Sequence, residues 1–326
     1  MSLRLACLLA PGPQTVEHAL LAEALGYDRV WLADSPALWQ DIWARMALVA
    51  AQTHRIQLGT AVLIPSLRHV VTQAAAIATI ADIAPGRLTV GLATGFTGRA
   101  AFGQHKRLPW AVVKRYVQQL RGLLHGEQVE VDGALCQLIP SPGFMPPRPI
   151  RVPIVLAASG PRGYQVAREV AYGIINPVRP PGADFPEYIQ SAWGTVLAEG
   201  EDLTAPRVRA AAGAAIALRY HMAYAYGGMR VDTLPNGRAW RERIERLPDA
   251  TRHLAVHYGH CVELNEHDAA CIDMTAAKQL SFTGTAEELR ERLATMEAQG
   301  VTEVMFGIMG ADVPREMRAF AQLVGR

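Results

Sequence analysis

The chain has 326 residues, half of them hydrophobic and 19% charged, and no run approaches the ~18 consecutive apolar residues of a membrane span, so no membrane partner is expected. A formal net charge of +2, with scattered arginines and no block of like charge, gives no reason to expect nucleic acid. Cys7, Cys136, Cys261 and Cys271 show no CxxC spacing, and the apolar run 5–10 ends at Pro-Gly-Pro, too short for a signal peptide; neither a disulfide framework nor secretion is expected, and the cytoplasm is the default compartment.

Strand-like and helix-like runs alternate almost from the first residue. LRLACLL (3–9) leads into an amphipathic helix around VEHALLAEALG, stopped by Gly26, and DRVWLA (28–33) precedes the helical WARMALVAAQT. IQLGTAVLI (56–64) is followed by a third helix over about 70–83, and APGRLTVGLATG turns at Pro85-Gly86 into a fourth strand before the helix WAVVKRYVQQLRGLLHG. EVDGALCQLIPSPGFMPPRP predicts a hairpin and a loop. Alternation then resumes with the strand 152–158, a helix over 163–171, the short strand GIINPV, a helix within DFPEYIQSAWGTVLAE and an apolar strand VRAAAGAAIAL (208–218). Residues 219–282 lose the pattern, and TAEELRERLATMEAQG, VTEVMFGIMG and VPREMRAFAQLVGR restore it. The count is eight apolar strands, each with a helix nearby.

Repeated strand–helix alternation implies a parallel sheet. A dinucleotide fold would open with G-x-G-x-x-G after its first strand, whereas here Ala-Pro-Gly-Pro-Gln follows, so a closed TIM (β/α)8 barrel is the better expectation. It would be a single domain over 1–326, with an insertion at 219–282 before the last helix–strand unit. A barrel places its site where strands end, which selects residues 33–35, 61–66, 94–98, 158–163, 176–177 and 307–310.

Within those loops, Ser159, Gly160, Pro161, Arg162 and Gly163 are the most informative. A helix N-terminus offers unpaired N–H groups and partial positive charge, the glycines admit close approach, and Arg162 adds a charged donor, so the turn suits a phosphate. Thr94, Gly95 and Gly98 lie on a glycine-rich strand exit beside the same mouth, without the GK[ST] of a P-loop. Asp34 follows VWLA and reads equally as a catalytic carboxylate or a turn residue before Ser35-Pro36. Arg68 and His69 open the third helix, the histidine as a structural hydrogen-bond partner. The segment RHLAVHYGHCVELNEHDAAC carries His253, His257, His260, Cys261, Glu263, Glu266 and His267; HExxH is absent, so a zinc site, a pocket wall or subunit contact and plain packing all stay open, and no metal ligand is assigned.

Taken together, AEALGYDRVWLADSP, THRIQLGTAVLIPSLRHVVTQAAAIATIADIAPGRLTVGLATGF, RVPIVLAASGPRGYQVAREVAYGIINPV and FTGTAEELRERLATMEAQGVTEVMFGI resemble the bacterial luciferase-like superfamily of flavin- and deazaflavin-dependent oxidoreductases. The P-x-x-R-H-x-x-x-x-A-A-A-I-A-T wording is most similar to the methylenetetrahydromethanopterin reductase branch, whose members use the deazaflavin coenzyme F420. The resemblance implies a TIM barrel binding F420 or FMN, with the 159–163 turn at the cofactor phosphate and a cis peptide between Ala61 and Val62 behind the ring. It also implies hydride transfer, or monooxygenase chemistry, on a small organic substrate. A homodimer is expected. Two departures matter: no histidine follows strand two, unlike the luciferase chain, and Phe96 stands where the sugar-phosphate dehydrogenase branch has glutamate. The substrate wall is expected from 96–110 and the insertion, with Trp110, Tyr224, Tyr226 and Trp240 as lining. Rival readings are a zinc-dependent barrel hydrolase and a flavin-binding protein without turnover.

Overall fold

Short, mostly apolar runs form eight strands that close on themselves. The computed structural model describes residues 3–176, 185–308 and 310–326. In chain order the first half gives β1 (Arg4–Leu9), α1 (Thr15–Ala24), β2 (Arg29–Leu32), α2 (Ile42–Gln52), β3 (Gln57–Leu63), α3 (Val70–Ile83), β4 (Leu88–Leu92), the short α4 (Thr97–Ala100) and α5 (Trp110–His125). A hairpin follows, β5 (Val129–Val131) with β6 (Ala134–Cys136), turning on Asp132 and Gly133, both at positive φ as a tight two-residue hairpin requires. Then come β7 (Ile154–Ala157), α6 (Gly160–Val170), β8 (Gly173–Asn176) and β9 (Glu187–Trp193). The remainder is α7 (Pro206–Gly227), α8 (Gly237–Glu245), α9 (Arg252–His257), α10 (Glu266–Ala269), α11 (Ala277–Leu280), α12 (Ala286–Ala298), β10 (Glu303–Gly307) and α13 (Val313–Leu323).

The barrel runs β1-β2-β3-β4-β7-β8-β9-β10 and back to β1, every pairing parallel, so the expected TIM barrel is what the chain forms. Its interior holds Ala6, Leu8, Trp31, Val155, Ile175, Ile189 and Met305, while the larger apolar cluster lies between the strands and the outer helices. The indole of Trp31 lies flat on β3: a Cβ at Gly59 would stand 2.2 Å from it, so only glycine fits there.

At the strand starts, Arg4, Arg29, Glu187 and Glu303 are the first residues of four adjacent strands and form one ion cluster. Arg4 Nη2 lies 2.7 Å from Glu187, Arg29 Nη1 3.1 Å from Glu303, and Trp31 Nε1 donates to Glu303 over 2.7 Å. Burial drives the Glu303 carboxyl upward against the pull of both arginines. Burial also acts on Glu187, but the charges of Arg29 and Arg4 outweigh it and hold that carboxyl below its usual range.

Two expectations are corrected. The helix expected within 184–199 is the strand β9: its outward Tyr188 and Ala192 and inward Ile189 and Trp193 are all packed, and a strand buried on both faces shows no clean alternation. The strand expected at 208–218 lies inside the helix α7. Alanine is the strongest helix former, and because residues 212–217 are all buried that run carries no helical periodicity. The strand count of eight therefore stands with its seventh member moved. Pro177, Asp184 and Met309, named among the expected elements and loops, lie outside the described residues.

Helices α7 to α11 build a cap with its own core of Tyr220, Val231, Trp240, Ile244 and Ile272. Its residues His260 and Cys261 reach the mouth formed by the strand ends. No helix among the described residues is long and apolar enough to cross a membrane.

Candidate active site

Three strand ends and the cap enclose a cavity of about 180 Å³ at the mouth, lined by Asp34 after β2, Ala61 and Val62 in β3, Gly95 and Phe96 after β4, and His260 from above. The β3–β4 register shifts between Thr60 and Leu63, and the Ala61–Val62 peptide is cis, as the resemblance implies. Thr94 is buried and its carbonyl holds Leu108 N at 3.0 Å, fixing the start of the loop that carries Gly95.

Asp34 is 5% exposed, and its Oδ2 accepts from Arg68 Nη1 at 2.5 Å; the same guanidinium reaches Asp41 at 2.8 Å. Burial raises the Asp34 carboxyl above the usual range despite Arg68. Asp41 is also the N-cap of α2, accepting from Trp43 N and Ala44 N, so Arg68 is held by a helix terminus as well as a strand end. His69 caps α3 through its Nδ1, a structural role.

The 159–163 turn stands at the rim, where β7 hands over to α6. Ser159 is extended and its side chain makes no cap, leaving the helix N–H groups to another acceptor. Gly160 has φ +76° with nothing within 4 Å of where a Cβ would lie, so its outer side is open. Gly163 serves differently: a Cβ there would stand 2.8 Å from Trp110, so this glycine lets α5 and α6 pack closely. Arg162, Thr94, Arg107 and Trp110 line a neighbouring depression of about 460 Å³. Thr94 also leads into Gly95, so the rim and the mouth are continuous along one loop.

On the cap side lies a second cavity, about 270 Å³, lined by Phe96, His105, Tyr224, Tyr226, His253 and His257 among others. Arg107 stacks its guanidinium 3.4 Å from the Tyr226 ring centroid. Tyr224 and Tyr226 thus line a cavity as expected, and Trp110 lines the rim depression. Trp240 does not: it is 0% exposed inside the cap core, donating to Asp268 at 2.8 Å.

Between the two cavities the structure gathers His221, His257 and His260, all buried, with one ligand atom each within 4.8 Å of the others. Burial and the neighbouring histidines push His257 down to about 3, and His260 falls well below its usual value for the same reasons. His221 was missed by sequence reasoning because it comes from α7, far from the histidine-rich segment and without any local spacing to flag it. The candidate pair His253 and His257 separates: His253 packs against His105, ring centroids 6.0 Å apart, while His257 faces the cluster. His267 accepts from Arg243 Nε at 3.1 Å.

Comparison with known proteins agrees with this architecture. The chain is 31% identical over 166 residues to a 5,10-methylenetetrahydromethanopterin reductase of Methanolobus tindarius, covering 51% of this chain and 50% of that one. It is 32% identical over 174 residues to an F420-dependent glucose-6-phosphate dehydrogenase of Beutenbergia cavernae (48% and 50%) and 36% over 186 residues to an F420-dependent hydroxymycolic acid dehydrogenase of Mycobacterium tuberculosis (50% and 49%). The chain thus spans about half the length of the curated relatives it matches. Among solved structures, the coenzyme F420-dependent tetrahydromethanopterin reductase from Methanopyrus kandleri superposes with TM-score 0.69 at 16% identity, over 98% of this chain and 97% of that one. An F420-dependent secondary alcohol dehydrogenase in complex with an F420-acetone adduct gives 0.68 at 17% identity (99% and 98%), a likeness of fold. The model of the luciferase-like monooxygenase family matches residues 9–303, and the chain belongs to that family.

Proposed function

We propose that the chain is an oxidoreductase that binds coenzyme F420, or FMN in its place, across the barrel mouth and exchanges hydride with a small organic substrate held beneath the cap. The observation that carries this is the continuous path from an uncapped helix N-terminus at Ser159 and Gly160, along Thr94 and Gly95, to a mouth lined by the Ala61–Val62 bulge. F420 is the first choice because several of the relatives matched over about half their length are named F420-dependent.

Bound there, such a cofactor supplies the hydride chemistry. The protein's own residues divide the remaining work. Backbone N–H groups of the 159–163 turn, with Arg162 beside them, would hold the cofactor's phosphate. Ala61, Val62 and Gly95 at the mouth, with Thr94 at the rim, would hold the cofactor's flat ring. Asp34 exchanges a proton with the substrate at its Oδ1, the oxygen that Arg68 does not engage. Phe96, Tyr224 and Tyr226 exclude water from the cap cavity. We propose a homodimer as the working state.

Titrating F420 and FMN separately into purified protein tests the reading. Saturable binding at one site per chain, tighter for F420, is expected; the absence of binding by either overturns it.

A further inference from the structure

We infer that His221, His257 and His260 form a binding site for a zinc-class divalent cation, with one coordination position open to the cap cavity. Three observations converge on this. All three imidazoles are at least 95% buried and present a ligand atom each within 4.8 Å of the others. Nδ1 of His221 and Nδ1 of His260 lie 2.9 Å apart, a hydrogen-bond contact in the metal-free chain that must open by about 0.4 Å to reach the roughly 3.3–3.4 Å between two nitrogens on a tetrahedral zinc with ~2.0–2.1 Å bonds.

The outer partners are those a metal site uses. The far nitrogen of His221 faces Asp268 Oδ1 at 3.1 Å, and that of His260 faces Thr97 Oγ1 at 2.9 Å. A carboxylate behind a ligating histidine fixes its tautomer and strengthens it as a donor. Asp268 is itself 1% exposed and oriented by the Trp240 indole and by Asn265, which accepts from its backbone N–H. Among the described residues its one ion-pair partner is His221, so this buried carboxylate is directed at that ring. Hydrogen bonding alone accounts for His221 and His260, but not for the third ring: Nδ1 of His257 is buried without a partner.

Access follows from the walls. His221 and His257 line the cap cavity and His260 lines the mouth cavity, so the open position takes a water or an oxygen of a molecule in the cap cavity. Imidazoles favour zinc, copper, nickel and cobalt over magnesium and calcium. The site needs no bound cofactor, which keeps its test separate from the proposed hydride chemistry.

The test uses the full chain, stripped with a chelator and titrated with zinc chloride and, in parallel, cobalt(II) chloride and magnesium chloride. One equivalent of zinc, a raised melting temperature, a four-coordinate cobalt spectrum and no response to magnesium are expected. His221→Gln, His257→Gln and His260→Gln should each weaken zinc by more than tenfold, and Asp268→Asn by about 10–100-fold. His253→Gln, in the wall of the same cavity, should retain one equivalent. Wild-type protein that takes up no zinc and gives no cobalt spectrum overturns the site and leaves a metal-free hydrogen-bonded chain. Equal zinc affinity in folded glutamine variants overturns it too. If those variants do not fold, the wild-type titration and Asp268→Asn decide.

Discussion

At the strand starts, Arg4 and Arg29 interleave with Glu187 and Glu303 so that each charge faces an opposite one, and Trp31 closes the set from the barrel interior. At the strand ends, the buried groups are left with capacity to spare: the Asp34 carboxylate shares one arginine with Asp41, three histidines crowd together, and the α6 N-terminus has no side-chain cap. The same eight strands therefore carry one end whose charges alternate in sign, although Arg4 Nε, Arg29 Nε, Glu187 Oε2 and Glu303 Oε2 make no hydrogen bond among the described residues, and one end whose charges are not matched one to one. In parallel barrels the first kind of end supports folding and the second binds ligand.

The strongest way to break that contrast is Glu303→Ala. It takes one of two carboxylate partners from the buried Arg29 and, among the described residues, the only acceptor from the Trp31 indole N–H, leaving Arg29 and the partly exposed Arg4 to share Glu187; removing one partner of a buried ion pair costs about 3–5 kcal/mol. Urea unfolding should show that loss with cofactor binding unchanged in the fraction that folds. A loss under about 1 kcal/mol would mean the floor charges are solvated and the contrast is false. Asp34→Asn should do the reverse. Its amide still accepts from Arg68, so stability falls by about 1–2 kcal/mol at most, while turnover of a found substrate falls about 100-fold. Turnover at the wild-type rate removes Asp34 from the chemistry.

The two glycines of the rim sharpen the contrast within one turn. Gly160→Val places a side chain in open space over the helix N-terminus and should weaken F420 or FMN at least tenfold, about 1.4 kcal/mol, beside a strain of roughly 1–2 kcal/mol in the fold. Gly163→Val drives instead into Trp110 and should cost about 1–3 kcal/mol of stability. Arg162→Ala reports whether the side chain or the backbone holds the phosphate. If neither Gly160→Val nor Arg162→Ala changes either dissociation constant, the phosphate lies elsewhere.

The barrel itself was legible because β1 to β4 and their helices follow local rules: apolar runs, glycine stops and the Pro85-Gly86 turn all agree. What misled was burial on all sides. Residues 212–217 of α7 and the two packed faces of β9 have no solvent-facing half, so no periodicity distinguishes helix from strand there. The candidate site was legible only as strand ends. Rim and mouth residues could be named because a barrel positions them, whereas the His221, His257 and His260 cluster depends on how the cap folds back, a long-range contact that no spacing encodes. Trp240 was misplaced for the same reason: an aromatic in an irregular segment reads equally as cavity wall or core.

The smallest expected effect tests the root of the cap, where neither pattern applies. Glu201 binds Arg207 through both carboxylate oxygens, takes the backbone N–H of Ala198, and ties the β9–α7 connection to Glu316 on α13 through Arg207. The hydrogen bonds from Arg207, more than the opposing burial, lower its carboxyl from 4.5 to about 2. A depressed carboxyl stabilises the fold above the unfolded value and loses that contribution as pH falls from about 4.5 toward 2. Because Glu201 and Arg207 side chains are 14% and 33% exposed, solvent screening keeps the contribution to about 1 kcal/mol or less. Glu201→Gln should therefore unfold at lower urea than wild type at pH 7, and the two midpoints should converge below about pH 3, where wild-type Glu201 is increasingly protonated. A gap that stays constant with pH would assign the loss to hydrogen-bond geometry and not to charge. The cap would then be fastened by shape, as at Gly163 and Trp110, and not by an ion pair of the kind that closes the floor.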